Sequence, residues 1–224
     1  MPRPFVRTLL VLAASAAVVA PAAAQTVYGG VGTTGLYAGY AHRYGPGLGT
    51  RAELAWLPGV GRSFTEDGIA YAGEVRSLRG TALADWHPFG GVFRVSVGLS
   101  AVDASGTFSG APASGSTITI GGATVQVGPA DRYDVKARLP SAMPYLGIGW
   151  GLSGARGWGV HADVGMLFGS PGVSGTLSPS LRAKIAATGL DPQAELEREL
   201  QTVRETAAKI DVFPVASFGV GYRW

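Results

Sequence analysis

The segment Phe93-Arg-Val-Ser-Val-Gly-Leu-Ser-Ala101 has one apolar and one polar face when it is extended. Its odd-numbered residues are apolar, and Arg94, Ser96, Gly98 and Ser100 alternate with them. Because successive side chains of a strand point to opposite faces, one face suits lipid and the other suits a polar interior. The segment therefore predicts a membrane strand of a β-barrel.

Similar alternation recurs along the chain. It is clear in residues 158–168 and 217–224, and weaker in residues 36–44, 48–56, 69–86 and 133–150. Together with residues 93–101, these segments make seven strands, whereas single-chain bacterial barrels normally have an even number. Either residues 27–32 form a strand separate from the next one, or residues 172–177 cross the wall. We expect an all-β, antiparallel, up-and-down transmembrane barrel of eight strands.

Composition limits the alternatives. Gly accounts for 35 of 224 residues, more than twice the usual share of about 7%, which favours closely packed strands. A hydrophobic content of 46% argues against disorder, and the absence of Cys excludes disulfides and thiol chemistry. The formal net charge of +3 owes much to Arg3 and Arg7, so it predicts no nucleic-acid partner.

The first 24 residues have the layout of a secretory signal peptide. Two Arg residues precede an apolar run over residues 9–19, and three Ala residues end at Ala24. The run is shorter than the roughly 20 residues of a spanning helix. We expect cleavage after Ala24, with residues 25–224 forming the barrel, and no Cys follows to carry a lipid anchor.

The connections between the strands fall into two classes. Short turns are expected at residues 45–47, 87–91 and 153–157, and longer loops at residues 60–68 and 104–131. Short turns usually face the periplasm and long loops the exterior. The longest loop contains two short β runs about Gly121-Gly122, which predicts a small hairpin.

Aromatic residues favour a membrane barrel over a soluble one. They stand at strand ends, as in an interfacial girdle: Tyr44, Trp56, Trp86, Phe89, Trp150, Trp158, Tyr222 and Trp224. A soluble periplasmic barrel also alternates and hides its apolar face inside, so alternation alone leaves that alternative open.

Residues 178–210 change to a helical period. Ser178-Pro179 predicts the start of a short helix that stops at Gly189, and Asp191-Pro192 predicts the start of a second. In the second, residues 196, 200, 203, 207 and 210 form one apolar stripe on a rod of nineteen residues, roughly 28 Å long. We expect an amphipathic insert packed on the barrel rim, with a plug in the lumen or a partner-binding face as alternatives.

The last eight residues are similar to the signal that the outer-membrane assembly machinery reads. The pattern lies in Ser217, Gly219, Tyr222 and Trp224. Such recognition proceeds by strand addition, in which an edge pairs through its backbone and alternate side chains fill pockets. The predicted partners are this machinery, periplasmic chaperones and outer-membrane lipid.

The chain resembles a group of small proteobacterial outer-membrane β-barrel proteins, most of them without an assigned function. The resemblance covers nearly the whole mature chain. It is carried by residues 31–36, 84–91, 144–151 and 213–217, and by the charged helix before the terminal strand. It implies a barrel in the outer membrane of a Gram-negative cell and brings no catalytic residues with it.

Charged residues on the predicted inner faces are expected to pair within a closed lumen. They are Arg51, Glu53, Arg94, His161, Asp163 and Arg223. His161 and Asp163 share a strand face and could orient each other, but no Ser can be tied to them as a nucleophile. No phosphate-binding loop and no metal-ligand cluster is apparent, so no cofactor is expected.

The sequence thus favours a non-enzymatic outer-membrane barrel with a structural or surface-interaction role, and it identifies no surface partner. A narrow, porin-like passive channel for small solutes is the first alternative, because a pore would line its lumen with similar charges. A lipid-modifying outer-membrane enzyme is the second.

Overall fold

The computed structural model describes residues 25–66, 69–152 and 156–224, so the predicted signal peptide lies outside the described residues. These ranges contain twelve strands and two helices: β1 Gln25–Gly32, β2 Gly35–Arg43, β3 Leu48–Glu66, β4 Ile69–Trp86, β5 Phe93–Pro112, β6 Thr117–Ile120, β7 Ala123–Gln126, β8 Tyr133–Arg138, β9 Ala142–Gly151, β10 Gly157–Phe168, β11 Gly172–Leu177, α1 Pro179–Ala187, α2 Pro192–Ala207 and β12 Val212–Arg223.

Eight of these strands close into an antiparallel barrel, in the order β1-β2-β3-β4-β5-β9-β10-β12. β12 pairs with β10 on one side and with β1 on the other, which joins the ends of the sheet. Closure satisfies the backbone groups that an edge strand would expose. The predicted eight-stranded barrel with a helical insert before its last strand is confirmed.

The eighth strand is β1, which forms a hairpin with β2, so the first of the two alternatives is correct. Residues 172–177 do form a strand, β11, but it pairs with β8 beyond the wall of the barrel. The predicted strand over residues 133–150 is in fact two strands. Pro140 lies between β8 and β9, and a proline cannot donate to a strand ladder.

The two ends of the barrel differ. We call the end with Gln25 and Arg223 the near end, because these residues start β1 and finish β12 side by side. The β2–β3, β4–β5 and β9–β10 connections lie at the near end, at the positions of the three predicted short turns. The hairpin of β3 and β4 and both long insertions lie at the opposite, far end.

An apolar belt covers the outside of the barrel. Its exposed side chains include Val27, Val31, Leu54, Val97, Leu99, Ile148, Val160, Val164, Phe218 and Val220. The eight predicted girdle aromatics are all exposed. Seven of them lie at the near end, and Trp56 lies opposite Leu36 and Leu78 at the far boundary of the belt. Exposed apolar surface of this extent marks an interaction with lipid or protein.

Glycines make room for tyrosine rings inside the barrel. The Tyr145 ring lies over Gly147 and Gly165, where a Cβ would overlap the phenol. Tyr28 lies over Gly39 in the same way. A narrow barrel can therefore hold large inward side chains only beside positions that lack a side chain, which accounts for part of the high glycine content.

Three barrel strands continue past the far end as a separate sheet. We call it the extension sheet: residues 60–66 of β3, 69–75 of β4 and 106–112 of β5, with β8 and β11 added beside β5. Residues 60–68 and 104–112 are therefore strand where loops were predicted, apart from the β3–β4 tip. Pro58 and Gly59 lie in a bulge of β3 between Leu57 and Val60, which disguises the continuity of the strand.

The polarity of the two strand faces inverts where the extension sheet begins. On β5 the outer face changes from Val97 and Leu99 to Asp103 and Thr107, while the inner face changes from Ser100 to Val102. On β4 the outer face changes from Leu78 to charged side chains at Arg76 and Glu74. The apolar belt thus ends at this level.

The far lobe consists of the hairpin β6–β7 and the helices α1 and α2. Ser178 and Asp191 cap the helices, and the Asp191 carboxylate accepts hydrogen bonds from the backbone N–H groups of Gln193 (2.7 Å) and Ala194 (3.1 Å). Neither helix among the described residues is long and apolar enough to cross a membrane.

The predicted helical rod is too long, because α2 ends at Ala207. Only Leu196 and Leu200 of its predicted stripe are buried, whereas Val203 and Ile210 are exposed. The expected packing on the rim is also wrong. The buried residues pack with β11 and the hairpin in one apolar core, formed by Ile120, Ala123, Val125, Leu177, Leu181, Ile185, Leu196 and Leu200.

Candidate functional site

An ionic cluster occupies the near half of the barrel interior. Arg94 Nη2 binds both carboxylate oxygens of Asp163, at 2.7 and 2.6 Å, and Arg51 Nη2 lies 3.2 Å from the same carboxylate. All three side chains are buried. A Cβ at Gly149 would overlap both Asp163 and Arg94, so the cluster fills the space available to it.

Asp85 completes this cluster. Arg51 Nε lies 2.7 Å from Asp85 Oδ2, and Ser96 Oγ donates to Asp85 Oδ1 at 2.6 Å while accepting from Arg51 Nη2 at 2.9 Å. Two guanidinium groups therefore face two carboxylates. Buried charges are tolerated when they are paired and hydrogen-bonded in this way.

Two smaller groups lie beside the cluster. Arg79 Nη2 donates to Glu53 Oε1 at 2.7 Å, and both side chains are nearly buried. The Tyr37 hydroxyl is 2.7 Å from His161 Nε2, and the Tyr28 ring meets the imidazole edge to face at 5.1 Å. Ion pairs and stacked rings thus occupy the middle of the lumen.

The structure separates some of the residues that the sequence grouped. Arg51, Arg94 and Asp163 meet, whereas Glu53 pairs with Arg79. His161 bonds to Tyr37 instead of Asp163, although the two share a face. Arg223 is half-buried at the near end, opposite Thr26 and Gly157.

Sequence reasoning missed Asp85, Arg79, Ser96 and Tyr37. A signal was available, because Arg79 and Asp85 share the inward face of β4 with Thr81 and Leu83, which are also buried. That face mixes charged, polar and apolar side chains, so period-two alternation is weak there.

An apolar layer lies in the far half of the lumen. Its buried side chains are Leu83, Val102, Ala104, Met143, Tyr145, Leu167 and Val215. Met143 is fully buried, and Leu139 and Phe213 pack against the layer from the far side. An ion or a polar solute would have to cross both this layer and the ionic cluster.

A small cavity of about 20 Å³ opens at the near end, lined by residues that include His42, Arg43, His87 and Arg94. Such a volume accommodates about one water molecule. In the part of the chain that the structure describes, no three His, Asp or Glu side chains are arranged to hold a metal ion. The interior is therefore packed, with a shallow polar opening at the near end.

The two long insertions are fastened to each other in the far lobe. The backbone N–H of Gly122, in the β6–β7 turn, donates to the carboxylate of Glu195 on α2, and Arg198 Nη1 lies 2.6 Å from that carboxylate. Gly121 has φ +59°, and a Cβ there would overlap Glu195. The turn therefore needs glycine both for its backbone conformation and for contact with the helix.

A second contact fastens the loop after β7 to α1. Lys184 Nζ lies 2.6 Å from Asp131 Oδ2 and donates to the carbonyl of Gln126 at 2.9 Å. Asp131 also accepts from the backbone N–H of Gly128 at 2.7 Å. The hydrogen bond from the Lys184 ammonium lowers the pKa of Asp131 to about 2. Side chains some fifty positions apart in sequence thus connect the loop after β7 to α1 within the far lobe.

Comparison with known proteins agrees with this architecture. No family model matches the chain, and no curated protein matches it. Among solved structures, CarO2 of Acinetobacter baumannii matches with a TM-score of 0.60 and 20% identity, over 90% of this chain and 98% of that chain. CarO of the same organism matches with a TM-score of 0.51 and 19% identity, over 92% and 98%.

The chain has the fold of an outer-membrane β-barrel. Identities of 19 and 20% establish a common fold only, and one fold supports many functions. The chemistry of this protein must therefore be inferred from its own interior and surface.

Proposed function

We propose that the protein is a non-enzymatic barrel of a Gram-negative outer membrane, which holds the far lobe at the cell surface as an interaction structure. The observation that carries this proposal is the packed interior. A charged layer and an apolar layer lie one behind the other in the lumen, while the far end carries a lobe with its own core. The barrel is an anchor, and the lobe is what it presents.

The orientation follows from the connections. Three short connections, the first residue of β1 and the last residue of β12 lie at the near end. The far end has the two-residue β1–β2 turn, the β3–β4 hairpin and both long insertions. In outer-membrane barrels the short turns face the periplasm. The near end is therefore the periplasmic side, and outer-membrane lipid contacts the apolar belt.

Export and assembly complete the proposal. The signal peptide directs secretion and is cleaved after Ala24, and chaperones carry the chain across the periplasm. The barrel assembly machinery then reads Ser217, Gly219, Tyr222 and Trp224. This role fits the strand that bears them, because β12 is the closing strand, paired on both sides in the folded barrel.

The other two functions lack a supporting observation. A channel would need a path through the ion pairs and the apolar layer. A lipid-modifying enzyme of the Ser–His type would need a serine hydroxyl hydrogen-bonded to a histidine. The hydroxyl within hydrogen-bond distance of His161 Nε2 belongs to Tyr37. We therefore assign the polar side chains of the lumen to structure.

Membrane fractionation with a heat-modifiability gel tests the location. We expect the protein in the outer-membrane fraction, with a shift in mobility between unheated and boiled samples. Recovery wholly in the soluble fraction would contradict the proposal.

Planar-bilayer recording of the refolded protein tests the sealed interior. We expect no steady single-channel steps. Mass spectrometry of lipid A, with and without expression, tests for an enzyme, and we expect the same profile in both. Regular conductance steps or a new lipid A species would each refute the anchoring role as stated.

A further inference from the structure

On the inner face of the extension sheet, the two rows of side chains that lie nearest the barrel cross all five strands. One row contains Arg62, Gly73, Phe108, Val135 and Gly175, which follow each other through successive strand pairings. The second row, closer to the barrel, contains Val60, Val75, Gly106, Ala137 and Val173. Within these two rows, every residue except Arg62 is apolar or glycine.

Helix α2 covers only one side of this face. Leu196 and Leu200 pack over Gly175, where a Cβ would approach Leu200 to 3.1 Å. At the other side Val60, Val75 and Phe108 are 57, 44 and 53% exposed. We call these three residues, with Gly73 and Gly106 between them, the uncovered face.

Lipid of the bilayer does not explain the uncovered face. At the same level the outer face of the sheet carries Arg76, Glu74 and Thr107, and charged side chains on a lipid-facing surface are costly. The sheet has therefore left the apolar belt, and its apolar side points inward over the mouth of the barrel. Large apolar side chains grouped on a water-facing surface are typical of binding sites.

A cation borders the uncovered face. Arg62 is exposed, and no ion pair joins it to any of the side chains that the structure describes, which do not include those of residues 64–70. It lies in the same row as Phe108, two strands away, which is about 10 Å at the usual strand spacing of roughly 4.8 Å. A guanidinium at this position suits a carboxylate or phosphate.

The apolar character continues from the uncovered face toward the lumen. On β5 the inner face runs from Phe108 through Gly106 to Ala104 and Val102, which belong to the apolar layer of the barrel. Four residues separate Phe108 from Ala104, about 14 Å at roughly 3.4 Å per residue. A flexible hydrocarbon chain could lie along this length.

We propose that the uncovered face binds a single-chain anionic amphiphile of the fatty-acid class, with its carboxylate at Arg62 and its chain along Phe108 and Val75. This proposal depends on the proposed anchoring function in one respect, which is the side of the membrane that the site faces. The cation at Arg62 and the apolar length below it match a ligand with one anionic head and one hydrocarbon chain. A second copy of the chain is the alternative occupant that the experiment below distinguishes.

Single cysteines give a clean test because the chain has none of its own. The Val75→Cys variant, labelled with an environment-sensitive fluorophore, is reconstituted in phosphatidylcholine nanodiscs and titrated with dodecanoate. The matched control is Ala72→Cys, which places the label on the outer face of the same strand. We expect a saturable change in emission at position 75 and only the weak, linear response of bilayer partitioning at position 72.

The headgroup is tested by Arg62→Gln in the Val75→Cys background. We expect its affinity for dodecanoate to fall about tenfold, the typical effect of losing a charge-assisted hydrogen bond, with dodecanol binding unchanged. Phe108→Ser should weaken both ligands. The heat-modifiability gel, run on every variant, reports barrel folding separately from ligand binding.

Three results would overturn the proposal. They are equal responses at positions 72 and 75, an equal loss of dodecanoate and dodecanol binding in Arg62→Gln, and emission at position 75 that follows protein concentration without added amphiphile. The last result would identify a second copy of the chain as the occupant.

Discussion

The barrel and the extension sheet are built from the same strands but have opposite polarity. In the barrel β5 turns Val97 and Leu99 outward and Arg94 and Ser96 inward, whereas further along it turns Thr107 outward. On β5 the alternation of faces continues without a break, and the apolar residues move from the outer face to the inner face. This change of side is expected if lipid surrounds the barrel, as proposed above, and water surrounds the extension sheet.

The two regions also differ in what fills them. The near half of the barrel interior holds paired ions and hydrogen bonds around Arg51 and Asp163, whereas the core of the far lobe consists of apolar side chains such as Leu181 and Leu200. Hydrophobic burial stabilises the lobe because water lies outside it. In the proposed membrane location, lipid outside the barrel would remove much of that advantage, so polar pairing inside would become more important.

The largest expected effect is in the ionic cluster. Asp163→Asn leaves Arg94 and Arg51 with too little counter-charge in a buried site, and breaking a buried pair typically costs about 3–5 kcal/mol. We expect the free energy of unfolding in phosphatidylcholine liposomes, measured by urea titration with tryptophan fluorescence, to fall by that amount. Asp103→Asn, on the exposed outer face, is the control. A difference under about 1 kcal/mol between variant and wild type would mean that water reaches the guanidiniums.

The inversion of polarity is tested on one strand face. Val97→Arg places a charge in the apolar belt, where the cost is about 2–4 kcal/mol near the bilayer midplane. Thr107→Arg makes the same change ten residues further along the outward face, beyond the inversion. We expect a loss of stability of that size for the first variant and almost none for the second. Equal losses would place Thr107 within lipid.

An intermediate effect is expected in the far lobe. Glu195→Ala removes the acceptor of the Gly122 N–H, and an unsatisfied buried donor costs about 1–3 kcal/mol. Amide hydrogen exchange over residues 117–126 should accelerate about tenfold or more, with barrel amides unchanged. Glu205→Ala, at an exposed position of the same helix, should leave exchange as in the wild type. Acceleration in both variants would show that the helix, and not the contact, had been disturbed.

The smallest effect is pH-dependent. Hydrogen bonding to Lys184 depresses the pKa of Asp131 from 3.8 to about 2, so its contribution is present above pH 3.8 and is lost as the pH falls toward 2. Proteolytic protection of residues 127–132, probed with an acid-active protease, should decline through that window. Asp131→Asn should remove the decline, and Asp103→Asn should keep it. An identical profile for Asp131→Asn and wild type would rule out this ion pair as the cause.

Local alternation predicted the barrel because all of its strands turn apolar residues outward and mostly polar or small residues inward. The same rule failed at residues 60–66 and 104–112, where the strand continues with its faces exchanged and a Pro-Gly bulge interrupts β3. A polar stretch after an apolar one resembles a loop unless both faces are followed separately. The helix starts at Ser178 and Asp191 were readable because caps are local.

The contacts that each inward side chain makes were harder to predict than its inward direction. The inward direction of Arg51, Arg94 and Asp163 follows from alternation, but their contact depends on the register of strands far apart in sequence. The cluster also needs Asp85, which lies in a weakly alternating strand. His161 is an example. Its sequence neighbour Asp163 suggested that these two side chains would pair, but in the structure His161 bonds to Tyr37, which comes from another strand. The predicted apolar stripe indicated a buried face at Leu196 and Leu200, but no local pattern indicated that the β6–β7 hairpin would pack against it.

That shared core has a consequence for how such a chain can change over generations. Ile120 and Val125 come from one insertion, and Leu181 and Leu196 from the other. Loss of either insertion alone would leave the partner's apolar side chains bare to water. The two insertions are therefore expected to be gained, lost or exchanged together during evolution.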